Sequence, residues 1–304
     1  MRSRLHLLRA IRETADERIG EKADVIGSML ALKLVGGVPR RHLGITYFVR
    51  EKIPLKHLSK RKRIPKQLTI GKTTFKTDVL EWPNMAQQSL KDASIIFDGK
   101  LQGTLTCFGH SDAGVFGVSC AHCLEGVDGN PATPTPVSMY SDDSGQFVDA
   151  GSSIYALFSP GPGRQDDFGY IDCGLFDIQE RTLLGRANAA SPLGVIEDEG
   201  SLIGKRLIAT SALNAPNWPD HNRSAIVVGL HANALNERCD LVLQADAPGT
   251  FHGDSGMLWK TEDGQAAGIH ARGEVMPAMV GSRLVTAMAA HRVASRLGVT
   301  LALG

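Results

Sequence analysis

Residues 250–259 read TFHGDSGMLW, and within this stretch Ser255 lies in a Gly-Asp-Ser-Gly motif at positions 253–256. Far upstream, residues 119–123 read SCAHC and place His122 directly after an apolar run. A serine hydroxyl is a weak nucleophile at neutral pH, so it needs a histidine that takes its proton and backbone amides that stabilise the developing negative charge. Glycines beside the serine allow the sharp turn that aims those amides. The two stretches therefore predict a nucleophile, Ser255, and its base, His122.

The composition excludes several classes of protein. The chain has 304 residues, enough for a large core and two or three compact units. Its 33 basic and 32 acidic residues give a formal charge of +1, so no global field indicates nucleic acid or a membrane surface as a partner. No run is long enough to span a membrane, and residues 1–12 lack the apolar stretch and cleavage site of a secretory signal. We therefore expect a cytoplasmic protein.

The chain from residue 90 onward is typical of a mainly β protein. Short apolar runs alternate with turns rich in glycine, proline and aspartate, which is the pattern of sandwiches and barrels. Residues 179–194 are predicted to link two halves, and residues 283–297 to form a closing amphipathic helix. The predicted strands are 94–97, 103–108, 115–119, 153–157, 171–178, 203–209, 225–230, 241–244, 257–260 and 266–269.

The first 85 residues predict a small α+β unit that precedes these strands. Apolar residues at helical spacing over 4–34 indicate one long helix or two short ones. Strands at 44–49 and 72–80 and a short helical piece at 55–62 complete the unit.

A basic stretch lies in the same unit. We interpret it as a solvated face, because most charge runs are solvated and no stacking aromatic residues interleave its densest part. An acidic protein partner or a nucleic acid bound through this region is the alternative, and of the two a protein partner is favoured. The basic residues are Arg50, Lys52, Lys56, Lys60, Arg61, Lys62, Arg63, Lys66, Lys72 and Lys76.

Residues 90–300 resemble the chymotrypsin-like family of serine endopeptidases. The resemblance rests on four segments: GTLTCF at 103–108, which is followed by GVSCAH at 117–122, then DCGLFDI at 172–178 and GDSG at 253–256. It implies two six-stranded antiparallel β-barrels with the site in the cleft between them, and it is closest in character to intracellular bacterial members with an N-terminal extension. The implied domains are an α+β extension at 1–85, a first barrel at 86–190 carrying His122 and Asp172, and a second barrel at 191–304 carrying Ser255 and a C-terminal helix.

The resemblance implies a role for each motif residue. His122 would be the general base and then the general acid, Asp172 the carboxylate that orients it, and Ser255 the nucleophile that forms an acyl-enzyme. The amides of Gly253 and Ser255 would form the oxyanion hole. Asp167 is the alternative to Asp172, because DFGYI at 167–171 and DCGLF at 172–176 both have an aspartate followed by an apolar, a small and two apolar residues. We favour Asp172, since its strand completes the family's pattern. No cofactor or metal is implied.

Two other chemistries are disfavoured by the sequence. Cys120 and Cys123 around His122 would make half of a zinc site, but no second Cys/His cluster with ligand spacing follows. The GDSG motif also resembles the nucleophile elbow of lipases and esterases. That elbow needs a glycine where this chain has Met257, and its triad residues follow another order.

The resemblance also predicts the substrate pocket. Gly249 stands where trypsin-like members carry a carboxylate, so a preference for Lys or Arg is not expected. Thr250 and His270 resemble the pair that binds Glu or Gln in glutamyl endopeptidases and picornavirus-type processing proteases, at P1, the residue before the cleaved bond. A protonated imidazole would add charge assistance for glutamate. The main chain from Ala271 to Gly273 should pair with an extended substrate that binds as an added strand.

Some alternatives are left open by the sequence. Cys107 and Cys123 have the spacing of a disulfide in secreted trypsin-like enzymes, whereas reduced thiols are expected in the cytoplasm. Zymogen-type relatives pair the aspartate equivalent to Asp254 with a freed N-terminus. Here either another cation or hydrogen bond satisfies Asp254, or the N-terminal unit restrains activity. The alternative function is a protease-fold binding module without turnover, tethered through its basic N-terminal region.

Overall fold

The structure is a computed structural model, and every structural statement below concerns the residues it describes. These are residues 4–19, 24–35, 38–83, 85–87, 95–97, 101–124, 134–141, 146–159, 171–212, 221–234, 237–274 and 282–304. Within them the protein is mainly β, with two sheets and three α-helices. None of the described helices combines the length and the apolar character needed to cross a membrane.

A closed antiparallel barrel of six strands forms in the C-terminal part of the chain. Its strands are β14 (Arg206–Thr210), β15 (Asn222–Ala234), β16 (Glu237–Ala245), β17 (Leu258–Thr261), β18 (Ala266–Glu274) and β19 (Leu284–Ala289). They follow the order β14-β17-β18-β19-β16-β15, and β15 pairs again with β14 to close the ring. Leu207, Val227, Leu241 and Trp259 belong to one fully buried apolar cluster. One of the two expected six-stranded barrels is therefore present.

The N-terminal strands extend the sheet of this barrel. Helix α1 (Arg4–Ile19) is followed by β1 (Val25–Val35), which pairs with β15, and by β2 (Val38–Val49). The prediction of helix across 4–34 is therefore wrong in its second half. Pairing on both sides explains the difference: a Cβ on Gly27 would come within 1.7 Å of the Asn233 carbonyl oxygen, so β1 and β15 approach as only glycine permits. Tertiary pairing here overrides the helical spacing.

Beyond β2 the same sheet ends in two more strands. They are β3 (Gln67–Ile70) and β4 (Thr73–Glu81), which confirms the predicted strand at 72–80. β4 runs parallel to β2, and β3 forms the edge of the sheet. The predicted helical piece at 55–62 consists of two short 3₁₀ turns, Leu55–His57 and Lys60–Lys62.

The second sheet carries the histidine side of the predicted site. Its strands follow the order β13-β20-β8-β9-β12-β11-β10-β6-β7, and every described pairing is antiparallel. Among the described strands no pairing joins its two ends, β13 and β7, so the structure supports a sheet here and not a closed second barrel. The strands are β6 (Ile95–Phe97), β7 (Leu101–Gly103), β8 (Cys107–Ser111), β9 (Gly114–Ser119), β10 (Pro136–Ser141), β11 (Gln146–Ser159), β12 (Ile171–Ile178), β13 (Ser191–Pro192) and β20 (Thr300–Leu303).

Two helices and one further strand complete the described elements. The predicted linker at 179–194 contains α2 (Arg181–Ala189), which begins after Glu180 because that carboxylate accepts a hydrogen bond from Thr182 N at 2.9 Å. The predicted closing helix is shorter than expected, since β19 is followed directly by α3 (Ala290–Leu297). After α3 the chain enters β20, which pairs with β8 and so ties the C-terminus to the second sheet. β5 (Met85–Gln87) pairs with β18.

Candidate active site

His122 and Asp172 make a direct two-point contact. His122 lies in a 3₁₀ turn, Ala121–Cys123, that follows β9, and Asp172 is the second residue of the neighbouring strand β12. The His122 amide donates to Asp172 Oδ1 at 3.0 Å, and Nδ1 lies 2.5 Å from Oδ2. In the neutral ring, a carboxylate on the Nδ1 side makes that nitrogen the donor and leaves Nε2 as the proton acceptor. Asp167, the alternative, lies outside the described residues.

The environment of His122 favours its protonated form. Both side chains are buried, with 4 % of His122 and none of Asp172 exposed. Burial by itself lowers the pKa of His122, but the neighbouring Cys123 and Asp172 side chains outweigh it and raise the pKa well above its ordinary value. An imidazole with a raised pKa is a stronger base once it is deprotonated, which suits a group that must take a proton from a hydroxyl.

The Ser255 loop is held against the second sheet by Thr104. The amide of Thr104 donates to the Ser255 carbonyl at 2.7 Å, and its hydroxyl donates to the Gly253 carbonyl at 2.8 Å. Ser255 itself is fully buried, and its Oγ donates to the carbonyl of Ala271 in β18 at 3.4 Å. The predicted nucleophile therefore lies where the barrel meets the sheet that carries His122.

A single carbonyl links the histidine segment to the serine segment. The oxygen of His270 accepts the Gly256 amide at 2.9 Å and the Cys120 thiol at 3.3 Å. Cys120 precedes the His122 turn, and Gly256 follows Ser255. Gly256 has a φ of 90°, and a Cβ there would lie 2.2 Å from the Thr104 carbonyl oxygen, so the glycine of the motif is required at this contact. The two predicted catalytic segments thus meet in one hydrogen-bonded junction.

Asp254 is satisfied by an internal cation, Arg223. The Nε atom of Arg223 lies 3.1 Å from Asp254 Oδ2, and both side chains are almost completely buried. The Phe251 amide donates to the same oxygen at 2.9 Å, and the Ser211 hydroxyl donates to Oδ1. Burial raises the pKa of Asp254, and Arg223 is the chief group that opposes this rise. Of the two alternatives left open by the sequence for Asp254, the structure supports the one in which a cation other than a freed N-terminus satisfies it.

Sequence reasoning did not identify Arg223. The residue lies in β15, on a strand that carries no recognisable motif, and its role depends on a pairing across the barrel. The sequence showed only that Asp254 needs a partner. Gly253, beside it, has a φ of 100°, a conformation that L side chains rarely adopt. The ion pair therefore anchors a turn that requires glycine at position 253 and whose amides are the predicted oxyanion donors.

Thr250 and His270, the predicted pocket pair, are fully buried. The main chain of Thr250 exchanges two hydrogen bonds with Ser282, at 3.0 and 2.8 Å. The ring of His270 stands edge-on to Trp259, with 6.1 Å between centroids. Burial, followed by the charges of Arg223 and His122, lowers the pKa of His270 to about 3. His270 is therefore neutral at neutral pH, and the charge assistance expected for glutamate is not provided by this structure.

The other predicted pocket residues lie along the same loop and strand. Gly249 has a φ of 93°, and its amide donates to Asp246 at 2.7 Å. Ala271 contacts Ser255 through its carbonyl. Gly273 is paired on both sides, with Val285 of β19 and with Ala86 of β5. Of these three residues, Ala271 is therefore the one shown in contact with the predicted nucleophile.

The cysteines near the site are free thiols. Cys107, Cys120, Cys123 and Cys173 are all buried, and the predicted alternative of a Cys107–Cys123 disulfide is not seen. Burial raises the pKa of Cys107 to about 12, so this thiol is neutral. Donor atoms of Cys120, His122 and Asp172 lie within 4.8 Å of one another, as in a metal site. Both Asp172 oxygens are bonded to His122, and Cys120 donates to His270. The cluster is therefore better suited to holding the imidazole than to binding a metal ion.

The basic stretch is solvent-exposed, as predicted. Its ten lysine and arginine side chains are all exposed, and Lys62 forms a surface ion pair with Asp24 at 3.9 Å. A cavity of about 360 Å³ opens beside them, and its apolar lining is bordered by charges of both signs: Lys33, Lys52, Lys62 and Lys66 together with Asp24, Glu51 and Asp78. This region lies on strands and turns of the N-terminal extension, apart from the residues that contact Ser255.

Comparison with known proteins does not assign the chain to a family. No protein-family model matches it, and a search of curated proteins finds no relative. The chemistry of the buried side chains is therefore the basis of the functional proposal.

Proposed function

We propose that the protein is a serine endopeptidase of the chymotrypsin-like type, with His122, Asp172 and Ser255 as its triad. The observation that carries the proposal is the two-point contact of Asp172 with His122, which fixes the ring and directs Nε2 away from the carboxylate. The arrangement of a six-stranded barrel against a second antiparallel sheet also supports it. In this proposal the second sheet is the counterpart of the family's first barrel.

The chemistry follows from the roles of these side chains. His122 Nε2 takes the proton of Ser255 Oγ as the oxygen attacks a peptide carbonyl. The amides of Gly253 and Ser255 stabilise the oxyanion, and His122 then gives its proton to the leaving amine as the C–N bond breaks. Water attacks the resulting ester by the same route in reverse and releases the acid. No step requires a cofactor.

The Arg223–Asp254 ion pair supports a site that needs no activating cleavage. A guanidinium keeps its charge at any physiological pH, so it can hold Asp254 permanently where a freed amino terminus would otherwise be needed. Fixed charge around the turn from Gly253 to Ser255 preorganises the oxyanion donors before the substrate binds.

In the proposed enzyme Thr250 and His270 would form the P1 pocket and favour Gln or Glu. Thr250 and His270 supply a hydroxyl and an imidazole, each of which can donate one hydrogen bond to a side-chain carbonyl oxygen. Because His270 is neutral, it offers no charge to balance a buried carboxylate, and Gln is the better fit. Substrate partners are therefore proteins or peptides with an accessible Gln or Glu.

Labelling with a small alkyl fluorophosphonate, together with digestion of a peptide library, tests the proposal. The full chain should be labelled on Ser255 and should cut after Gln or Glu, whereas Ser255→Ala and His122→Ala should do neither. Ser59→Ala, at an exposed serine, is the matched control and should behave as the parent. Folded protein that is not labelled under any condition would reject the peptidase and favour the alternative below.

A protease-fold binding module is the second candidate function. The ten exposed basic residues of the N-terminal extension favour it, because they offer an anionic partner a surface that does not involve Ser255. In that case the buried triad residues would have only a structural role, and binding would fall with salt concentration while labelling stayed absent.

A further inference from the structure

The edge of β18 beyond His270 can accept another strand. β17 pairs with β18 at Leu258, Trp259 and Lys260, and the last of these pairs on β18 is Ile269. On the opposite side β19 accompanies β18 as far as Gly273. Along residues 271–274, the side of β18 that β17 occupies up to Ile269 is therefore no longer paired with β17. This is the edge at which an extended peptide would approach Ser255.

The protein's own chain fills that edge. β5 runs antiparallel to β18, with Gln87 opposite Arg272, Ala86 opposite Gly273 and Met85 opposite Glu274. Added strands bind chiefly through main-chain hydrogen bonds, which any peptide sequence can supply. β5 therefore uses the backbone groups that a peptide substrate would need.

β5 is tethered to a fixed point close by. The buried ring of Trp82 packs against Phe48 of β2 with 4.3 Å between centroids, and its amide donates to the Val49 carbonyl at 3.0 Å. β2 is joined to the barrel through β1 and β15. Because only residues 83 and 84 separate Trp82 from β5, the strand has a high effective concentration at this edge, on the order of millimolar.

The predicted nucleophile and its base are both buried. Ser255 is 0 % exposed and His122 4 % exposed, so a peptide carbonyl reaches Ser255 Oγ only when some covering element moves. β5 is three residues long and lies at an edge, and short edge strands are among the first elements to open.

We propose that β5 is an autoinhibitory strap, which pairs with residues 272–274 in place of substrate and must leave β18 before a peptide is cleaved. The proposal rests on the proposed function of Ser255 and deepens it by identifying displacement of the strap, Met85–Gln87, as the step that controls access.

Proline substitution tests the strap through its backbone. In an antiparallel pair, hydrogen-bonded and non-bonded residue pairs alternate, so either Ala86 or Gln87 has its amide directed at β18. Ala86→Pro and Gln87→Pro are made in parallel: one removes a donor to β18, and the other, with its amide outward, is tolerated at an edge and acts as an internal control. Ser59→Pro is a second control, because Ser59 is exposed with a φ of −61° that proline adopts.

Two measurements separate the strap from the peptidase. In the Ser255→Ala background, a fluorescein-labelled peptide with the sequence of residues 82–90, WPNMAQQSL, is titrated and followed by anisotropy. One proline variant should bind it at least about tenfold more tightly than the Ser59→Pro protein, because the tethered competitor is weakened. In the background that retains Ser255, the same variant should react with the fluorophosphonate about five- to thirtyfold faster, since a lost backbone hydrogen bond and freer edge open the site.

The two proposals fail in different ways. Peptide binding that is equal in both proline variants and in Ser59→Pro overturns the strap, whatever the labelling shows. Tighter peptide binding without labelling of Ser255 in any variant overturns the peptidase, and with it autoinhibition; it leaves β5 only as a competitor for a peptide-binding edge of β18. Both proline variants are judged misfolded if they lose the near-ultraviolet circular dichroism of the parent. In that case amide exchange is measured at the unsubstituted strap in Ser255→Ala. Protection at residues 85–87 is expected, and exchange at the rate of an unstructured peptide overturns the strap.

Discussion

Two fully buried aspartates belong to the candidate site, and they differ in the side chain that each one bonds. Asp172, on the sheet side, bonds to the imidazole of His122, which can gain or lose its proton. Asp254, on the barrel side, bonds to the guanidinium of Arg223, which keeps its charge. Both carboxylates carry the desolvation penalty of burial, so each needs its partner.

The difference indicates that the two aspartates have different roles in the site. A carboxylate beside a titrating base can tune proton transfer, whereas a carboxylate beside a permanent cation can only fix a backbone. We therefore expect an isosteric substitution of Asp172, which keeps the buried polar side chain but removes its charge, to lower turnover with little loss of stability. Substitutions on the barrel side should lower stability as well.

The largest effect is expected for Asp172→Asn. The amide keeps the shape of the side chain but no longer fixes the tautomer or stabilises the imidazolium, so turnover should fall by about 10⁴-fold. Peptide hydrolysis and the melting temperature are measured together. Asp177→Asn, at an exposed aspartate on the same strand, is the matched control and should retain parental turnover. A loss of less than tenfold in Asp172→Asn would show that Asp172 is not the orienting carboxylate.

The sequence predicted the residues that meet locally better than those that meet across the barrel. His122 and Asp172 lie at the ends of adjacent strands, and each falls in a motif with a chemical reason for its residue types. Ser255 was marked by its glycines, and Gly253 and Gly256 do adopt positive φ. These features depend on a few neighbouring residues and can be read from short segments.

Other features depended on pairings that no local pattern contains. Residues 25–35 have helical spacing but form β1, because β2 and β15 enclose them. Arg223 and the strap became visible only when the barrel brought β15 to Asp254 and β18 to β5. The neutral state of His270 likewise follows from burial that its sequence motif does not reveal.

A smaller effect, on stability, is expected for Arg223→Gln. Removing the guanidinium leaves Asp254 buried and unpaired, which should cost about 3–5 kcal/mol of unfolding free energy. Adding Asp254→Asn removes the charge and should restore part of that loss. Urea denaturation of the two single variants and the double variant measures the coupling.

Arg206→Gln provides the contrast for this pair. Arg206 also bonds to an aspartate, Asp246, but both side chains are about two-fifths exposed, at 43 % and 40 %. Exposed pairs contribute about 0–1 kcal/mol, so this variant should unfold close to the parent. Equal losses in Arg223→Gln and Arg206→Gln would contradict the assignment of Arg223 as the anchor of the serine loop.

The smallest effect is a displaced pH profile. His122 must be neutral to accept the proton of Ser255, and its pKa is raised, so the rate of fluorophosphonate labelling should increase with pH and reach half its maximum above about pH 6.5, the ordinary value for histidine. His270 does not contribute in this range, because its pKa of about 3 keeps it neutral throughout.

Cys123→Ala removes a neighbour that raises the pKa of His122 and should move the midpoint to lower pH. Asp177→Asn should leave the midpoint in place. A parental midpoint at or below pH 6.5 would mean that Asp172 orients the imidazole without raising its basicity, and the sheet side would then resemble the barrel side, with a carboxylate that only fixes geometry.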